Sequence, residues 1–341
     1  MVALSAVRTH NATLKSLSPG LVAVFVGGTS GIGFSTAREF VRNTDAPHIY
    51  LVGRNQIEAS KIIDEFQQLN PSSQLNFIKS DVSLLRNVDE VCKEIKEKED
   101  KVNLLFMTVG YLTLQGRQET VEGLDRKFSL HYYARMRFVQ NLAPLLTTAA
   151  NNPDPKANLS RVVSVLDSRL GRAVAPNFSD LSLKDNFSLK NCAVHACSMM
   201  NFTLEHFAQQ YPATSFIHAY PSGVRTGALR PMGPVVNNVL KAVTVLLKPF
   251  MVDLKESGER HLYAATAPQF APREAKADGK ENVAKGMDEE PGSGAYALNW
   301  NGEVFGESQK AAGLRAEGAE KRIWDHTEEV FRKICDENGK Y

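Results

Sequence analysis

Residues 22–33, VAVFVGGTSGIG, constrain this chain more than any other stretch. The opening apolar run is too short to span a membrane and too β-branched to prefer a helix, so it reads as a buried strand. It ends in Gly27-Gly28-Thr29-Ser30-Gly31-Ile32-Gly33, and a helical pattern (Phe34, Ala37, Phe40, Val41) begins at once. Strand, glycine turn and helix in that order hold a nucleotide pyrophosphate. The glycines let the backbone come close to the phosphates, and the free N–H groups and dipole of the helix N-terminus face the negative charge. The spacing is GxxxGxG (Gly27, Gly31, Gly33) and not GxGxxG. The competing reading is a tight βα corner without a ligand.

The rest of the chain repeats the alternation. His48-Ile49-Tyr50-Leu51-Val52 reads as a second strand ending in Gly53-Arg54-Asn55. In a dinucleotide fold this point meets the adenosine ribose, where an acid binds the 2′-hydroxyl and an arginine suits a 2′-phosphate. The acid is absent and Arg54 stands in its place, which favours NADP(H) over NAD(H); otherwise Arg54 is a solvated surface residue. Residues 57–69 form a helix stopped by Asn70-Pro71. Residues 74–79 form a third strand running into Ser80-Asp81-Val82-Ser83, where Asp81 either accepts from an adenine amine or caps the next helix. A fourth strand over 102–107 leads to Thr108-Val109-Gly110, and an aromatic-rich helix runs from about 128 to 146. A fifth strand over 161–166, a long helix over 191–210 and a sixth strand over 215–219 precede Pro221-Ser222-Gly223-Val224-Arg225-Thr226. Such alternation predicts an α/β fold, a doubly wound parallel sheet of Rossmann type.

Composition narrows the function. Forty basic against 38 acidic residues leave a net charge of +2, with no basic block, which argues against a nucleic-acid partner. The four cysteines (Cys92, Cys192, Cys197, Cys335) show no CxxC, so neither a disulfide frame nor a metal site is expected. Residues 1–20 form a short amphipathic lead-in without a secretory signal, and the expected location is the cytoplasm. Residues 21–230 make the dinucleotide-binding domain, and residues 231–341 an extension completing a substrate cleft. Within it, residues 234–252 are apolar but interrupted, and read as a cleft flap or interface helix, not a membrane span. Residues 271–294 read as a mobile surface excursion, and 323–335 as a last amphipathic helix.

These residues resemble the short-chain dehydrogenase/reductase family over about residues 20–230, in particular its retinol-dehydrogenase-like branch and fungal members associated with secondary metabolism. The supporting marks are the Gly27/Gly31/Gly33 turn, Gly53-Arg54-Asn55, Asp81-Val82-Ser83, Val109-Gly110, and Pro221 with Val224 and Thr226. The resemblance implies a cofactor groove lined by Gly27, Thr29, Ser30, Gly31, Ile32, Gly33, Arg54, Asn55, Asp81, Val82, Val109, Gly110, Pro221, Val224 and Thr226. There are departures. Val26 stands where the family has Thr, Met107-Thr108-Val109-Gly110 where it has Asn-Asn-Ala-Gly, and Pro221-Ser222 where it has Pro-Gly.

The family's chemistry uses Asn, Ser, Tyr and Lys, with Lys lowering the Tyr pKa so that the phenol exchanges a proton with the substrate oxygen. The matching register puts Cys192 in the Tyr position and Ala196 in the Lys position; a slip of one puts Asn191 and His195 there. Asp167 falls where the Ser belongs, with Ser168 adjacent, and His131 where the Asn belongs. Asp167 is either an acid or base with a raised pKa or a loop cap, and His131 either its partner in a proton-transfer dyad or a satisfied helix histidine. Cys192 is either a reactive thiol or a small buried apolar residue, and His195 either reaches the nicotinamide side or does not.

An NADP(H)-dependent oxidoreductase acting on a small apolar metabolite by a non-standard proton route is the leading expectation. The alternatives are a non-redox cyclase, isomerase or dehydratase using Asp167 and His131, and a catalytically silent binding protein. The expected partner is a small-molecule substrate, with monomer and homodimer as the alternatives for assembly.

Overall fold

A computed structural model describes residues 1–111, 113–224, 251–278 and 283–341. Thr226 and nearly all of the interrupted apolar stretch 234–252 lie outside the described residues. Seven parallel strands form one sheet in the order β3-β2-β1-β4-β5-β6-β7. They are β1 (Val22–Val26), β2 (His48–Gly53), β3 (Gln74–Lys79), β4 (Leu104–Met107), β5 (Arg161–Val165), β6 (Ser215–Ala219) and β7 (Ala295–Leu298). This is the doubly wound α/β sheet that the alternation of strands and helices predicts.

Both faces of the sheet are covered, and the period-two geometry of a strand divides its residues between two cores. Val22, Val24 and Val26 of β1 pack into one apolar cluster, Ala23 and Phe25 into the other. In chain order the longer α-helices among the described residues are α1 (Leu4–Thr13), α2 (Gly31–Asn43), α3 (Gln56–Leu69), α4 (Leu85–Lys98), α5 (Ala134–Ala150), α6 (Ser168–Ala173), α7 (Leu189–Gln210), α8 (Leu254–Thr266), α9 (Gln309–Ala316) and α10 (Ala319–Phe331). Buried residues of α2, α3 and α8 fill the Phe25 side; those of α4, α5, α7 and α10 fill the Val24 side.

The region beyond residue 251 adds a strand to the sheet. Its strand β7 pairs with β6 in parallel, Phe216 opposite Ala295 and Ala219 opposite Leu298, and is buried throughout. Only four residues long and preceded by Pro291, Gly292 and Gly294, it gives almost no periodic signal. The described ends of the 271–294 stretch are packed: Ala284 N–H donates to Gln269 O at 2.9 Å, Met287 N–H donates to Ala295 O at 2.9 Å, and Met287 itself is buried.

One side chain ties the lower edge of the sheet together. Fully buried Asn103 accepts from Val22 N–H at 2.9 Å and donates to Ala157 O and Leu159 O at 3.0 and 2.9 Å. Replacing it by Leu strands three backbone groups away from water. Asn103→Leu should therefore lower the unfolding free energy by about 2–4 kcal/mol in urea denaturation, whereas a change under about 0.5 kcal/mol would mean these groups find other partners.

Candidate functional site

The strand order reverses direction at β1, with β2 and β3 on one side and β4 to β7 on the other. In an open parallel sheet the crevice outside the carboxyl ends at that point receives the ligand. The glycine turn lies there. Gly27 and Gly31 have φ of +89° and +57°, conformations that favour glycine. A Cβ on Gly33 would sit 2.5 Å from Gly27 O and 2.6 Å from Thr108 Oγ1, and one on Gly28 would sit 2.8 Å from Phe25 Cβ. Ser30 is the N-cap of α2 and is exposed, and its side chain makes no cap bond. The N–H groups of Gly31, Ile32 and Gly33 open the helix, where an α-helix has no internal partners for them. Thr29 faces Gly53, whose added Cβ would meet Thr29 Oγ1 at 3.0 Å, and Ile32 packs partly buried against the Phe25 core. This backbone fits a pyrophosphate: the turn is open on the outside and closed to any side chain on the inside.

At the end of β2, Arg54 is exposed, and among the described residues it has no hydrogen-bond or ion-pair partner. Asn55 caps α3, accepting from Glu58 N–H at 3.2 Å. Asp81 is engaged through both oxygens, accepting from the Ser83 N–H and hydroxyl through Oδ1 and pairing with Arg126 through Oδ2. Partial burial pushes its pKa up, but these hydrogen bonds and the nearby Arg126 and Arg54 hold it below the usual carboxylate range. Val82 is buried in the core beneath this end of the groove.

Past β4 the chain runs through Val109 and Gly110, the latter at φ +155°. A Cβ on Gly110 would lie 2.5 Å from His131 Nε2, so the imidazole rests against this backbone. His131 stands on a π-helical turn, Ser129–Tyr133, set just before α5. Such turns re-aim side chains and are frequent at functional sites. The ring is only partly exposed and has no hydrogen-bond partner among the described residues. Burial, with the charges of Arg135 and Lys127, pushes its pKa down to about 3, so the imidazole is neutral across the physiological range. Its neighbours Tyr132 and Tyr133 are core residues with committed hydroxyls, bonded to Thr203 and Thr327 and to His326 respectively.

The structure does not join Asp167 to His131. Asp167 caps α6, accepting from Arg169 N–H at 3.1 Å, and is held by the Arg169 guanidinium through two bonds of 3.0 Å. Burial raises its pKa, but the Arg169 bonds outweigh this and leave it lowered, against the raised value that an acid or base there requires. The adjacent Ser168 is buried and donates to Leu298 O at 3.1 Å. His195 has both ring nitrogens engaged: Nε2 accepts from Asn177 N–H at 2.8 Å, and Nδ1 lies 3.3 Å from Leu181 O. Cys192, in the first turn of α7, is buried, and burial pushes its thiol up to about 12, well away from reactivity. Pro221 and Val224 follow β6, where Val224 forms a bridge with Val252. Between them Ser222 holds φ +62°, a left-handed conformation that glycine adopts with less strain.

Two cations here escape a reading of the sequence. Arg135 is fully buried, and its donors go to neutral acceptors: Leu130 O at 3.2 Å, Ser164 Oγ at 2.7 Å, Val165 O at 2.9 Å and Val109 O at 2.6 Å. It ties the ends of β4 and β5 together, and burial lowers its pKa to about 10. Lys127 is buried too, donating to Gly116 O at 2.9 Å beside Asp125 at 3.8 Å. The available signal was spacing: Arg135 lies one turn after His131, on the stripe that continues through Val139 and Leu142 into the core. Among the described residues no cluster of three or more His, Cys, Asp or Glu could hold a metal ion, and no helix is long and apolar enough to cross a membrane.

Comparison with known proteins agrees with this fold. The short chain dehydrogenase family profile matches residues 21–154. Oxidoreductase AN1596 of Emericella nidulans is 45% identical over 97% of this chain and 98% of its own length. Short-chain dehydrogenase/reductase SAT2 of Stachybotrys chartarum is 28% identical over 99% of each chain. A crystal structure of NADPH-bound carbonyl reductase from chicken fatty liver has the same fold at a TM-score of 0.56 and 15% identity, covering 85% of this chain and 100% of that one.

The buried histidines give the molecule a pH signature. His131 and His218 are pushed down to about 3, and His261 and His326 to about 4, in each case first by burial. Above pH 6.5 these groups are neutral folded and unfolded, and contribute no pH dependence. Below it the unfolded chain takes up protons that the folded one refuses, so stability falls with pH, by at most about 1.4 kcal/mol per histidine per unit. Urea denaturation at pH 5.5 should show up to about 5 kcal/mol less stability than at pH 7.5, with roughly a quarter of the loss removed by His261→Phe. A flat profile would contradict neutral burial.

Proposed function

The chain belongs to the short-chain dehydrogenase/reductase family of oxidoreductases, and on that premise we propose that it uses NADP(H) to reduce a small, largely apolar metabolite by a proton route that bypasses the family's Tyr–Lys pair. The observation that carries the cofactor choice is Arg54. It is exposed and has no hydrogen-bond or ion-pair partner among the described residues, at the end of β2, and the nearby Asp81 carboxylate is already taken by Arg126. Its forked donors suit a 2′-phosphate, which a ribose hydroxyl would not reward.

The glycine turn would hold the pyrophosphate on the N–H groups of Gly31, Ile32 and Gly33, and Val109, Gly110, Pro221 and Val224 would border the nicotinamide half. A bound reduced nicotinamide supplies a hydride equivalent. Carbonyl reduction also needs a proton or hydrogen-bond donor for the developing oxygen charge. With Cys192 and Ala196 in the family's Tyr and Lys positions, that donor is not a phenol lowered by an ammonium. Among the described residues His131 is the group available. It has no partner among the described residues, is neutral, and rests against Gly110. A place in secondary metabolism belongs to the same proposal and is supported by the likeness of residues 20–230 to fungal family members of that kind.

The non-redox alternative asks for an Asp167–His131 pair, and the commitment of Asp167 to Arg169 weighs against it. NADPH and NADH titrations followed by nucleotide fluorescence test the proposal. Wild type should prefer NADPH by at least about tenfold, and Arg54→Ala should weaken NADPH by about 10–100-fold while leaving NADH unchanged. Binding of neither nucleotide, or an Arg54→Ala variant that still prefers NADPH, would overturn it.

A further inference from the structure

The charges around the ends of β4 and β5 do not cancel. Asp167 is held by Arg169 through two bonds, and Asp125 sits beside Lys127. Arg135 is left over. It is 1% exposed, and all its hydrogen bonds go to three backbone carbonyls and one serine hydroxyl; among the described residues it has no carboxylate partner. Its Nη2 bonds Val109 O and would lie 3.9 Å from a Cβ on Gly110, where His131 also rests. The nearby interior histidine supplies no anion. His218 sits across from Ser164 in the β5–β6 register and is bonded to Asn201 at 2.6 Å; burial first, and then Arg135, keep it neutral at physiological pH.

A buried charge with neutral partners acts over several ångströms, because little water intervenes to screen it. Fixed charge of this kind favours reactions whose transition state carries the opposite sign nearby. We infer that the uncompensated guanidinium of Arg135 sets the charge class of the substrate: a neutral ketone, aldehyde or conjugated enone whose oxygen becomes negative, and not a cation such as an iminium. This rests on the reductase reading above.

The electron count is simple. As the carbonyl carbon, or the β-carbon of an enone, takes up a hydride equivalent, the C=O π pair would move onto oxygen, the two electrons being those that a bound reduced nicotinamide would supply and lose. The oxygen is held by a hydrogen bond from neutral His131, and one proton from water completes the alcohol or, at the α-carbon, the saturated ketone. His131 is the catalytic residue in this scheme. Arg135, enclosed beneath it, is a positioning residue that fixes the Val109 carbonyl and supplies the field. A cationic substrate would enter against that field and lose charge where negative charge is favoured.

The test uses two probes of similar size and opposite charge, benzoate and benzylammonium, titrated by calorimetry into wild type, Arg135→Lys, Arg135→Met and Arg135→Gln. NADPH affinity is measured on the same preparations. Wild type should bind benzoate at least tenfold more tightly, Arg135→Lys should keep that preference, and Arg135→Met should lose it. His131→Phe should weaken benzoate binding, which places the probe. Arg135→Gln, neutral yet able to donate to Val109 and Ser164, takes the place of Met if that variant does not fold. If neither folds, the wild-type ratio decides. Equal binding of the two probes by wild type, or an anion preference that survives in a folded neutral variant, would overturn the inference. NADPH binding without anion preference defeats this inference alone, whereas anion preference without NADPH binding defeats the reductase reading alone.

Discussion

Everything at the upper edge of this sheet depends on how closely the first glycine turn approaches the end of β4. There is no room for a methyl group at position 33, where it would meet the Gly27 carbonyl at 2.5 Å and the Thr108 hydroxyl at 2.6 Å. Thr108 in turn donates to Gly27 O at 3.2 Å, so the turn and the β4 loop brace each other. That contact brings the start of α2 directly over the end of β1 and leaves its first N–H groups facing the crevice. A side chain at any of the inner glycines would separate α2 from the sheet and lift the helix away from the place where a phosphate can use it.

The second half of the site is decided by charge and burial. The groups that a proton-transfer mechanism would draw on are mostly spoken for. Asp167 is tied to Arg169, His195 has two backbone partners, and the Cys192 thiol is pushed up to about 12 by burial. What remains among the described residues is a neutral histidine on a π-helical turn and a buried arginine without a carboxylate partner. Such a pair can hold and polarise an oxygen, but it cannot lower a phenol's pKa as an ammonium does beside a tyrosine.

Much of the fold was legible in the sequence because local signals agreed with the global structure. Val22–Val26, Gln74–Lys79 and Ser215–Ala219 are strands where the apolar pattern places them, and the glycine turn sits where its spacing requires. β7 was not legible, since four residues after a Gly/Pro-rich stretch carry no period to count. In the site, residue types were readable but their commitments were not. The Arg169 clamp on Asp167 spans two positions and was within reach of a local reading. The backbone partners of His195 come from the Asn177–Leu181 loop, and no helical periodicity predicts them. Arg135 was missed because an arginine on a helix normally reads as solvated, whereas this one occupies the buried stripe.

The most direct measurement is a crystal structure of this protein with NADP⁺ bound. The 2′-phosphate should lie against the Arg54 guanidinium and the pyrophosphate over the Gly31–Gly33 backbone. His131 should stand at the nicotinamide with no tyrosine hydroxyl or lysine ammonium within hydrogen-bonding reach of the substrate position. A groove filled by the chain's own side chains, or a tyrosine and lysine brought over the nicotinamide from another part of the molecule, would contradict it.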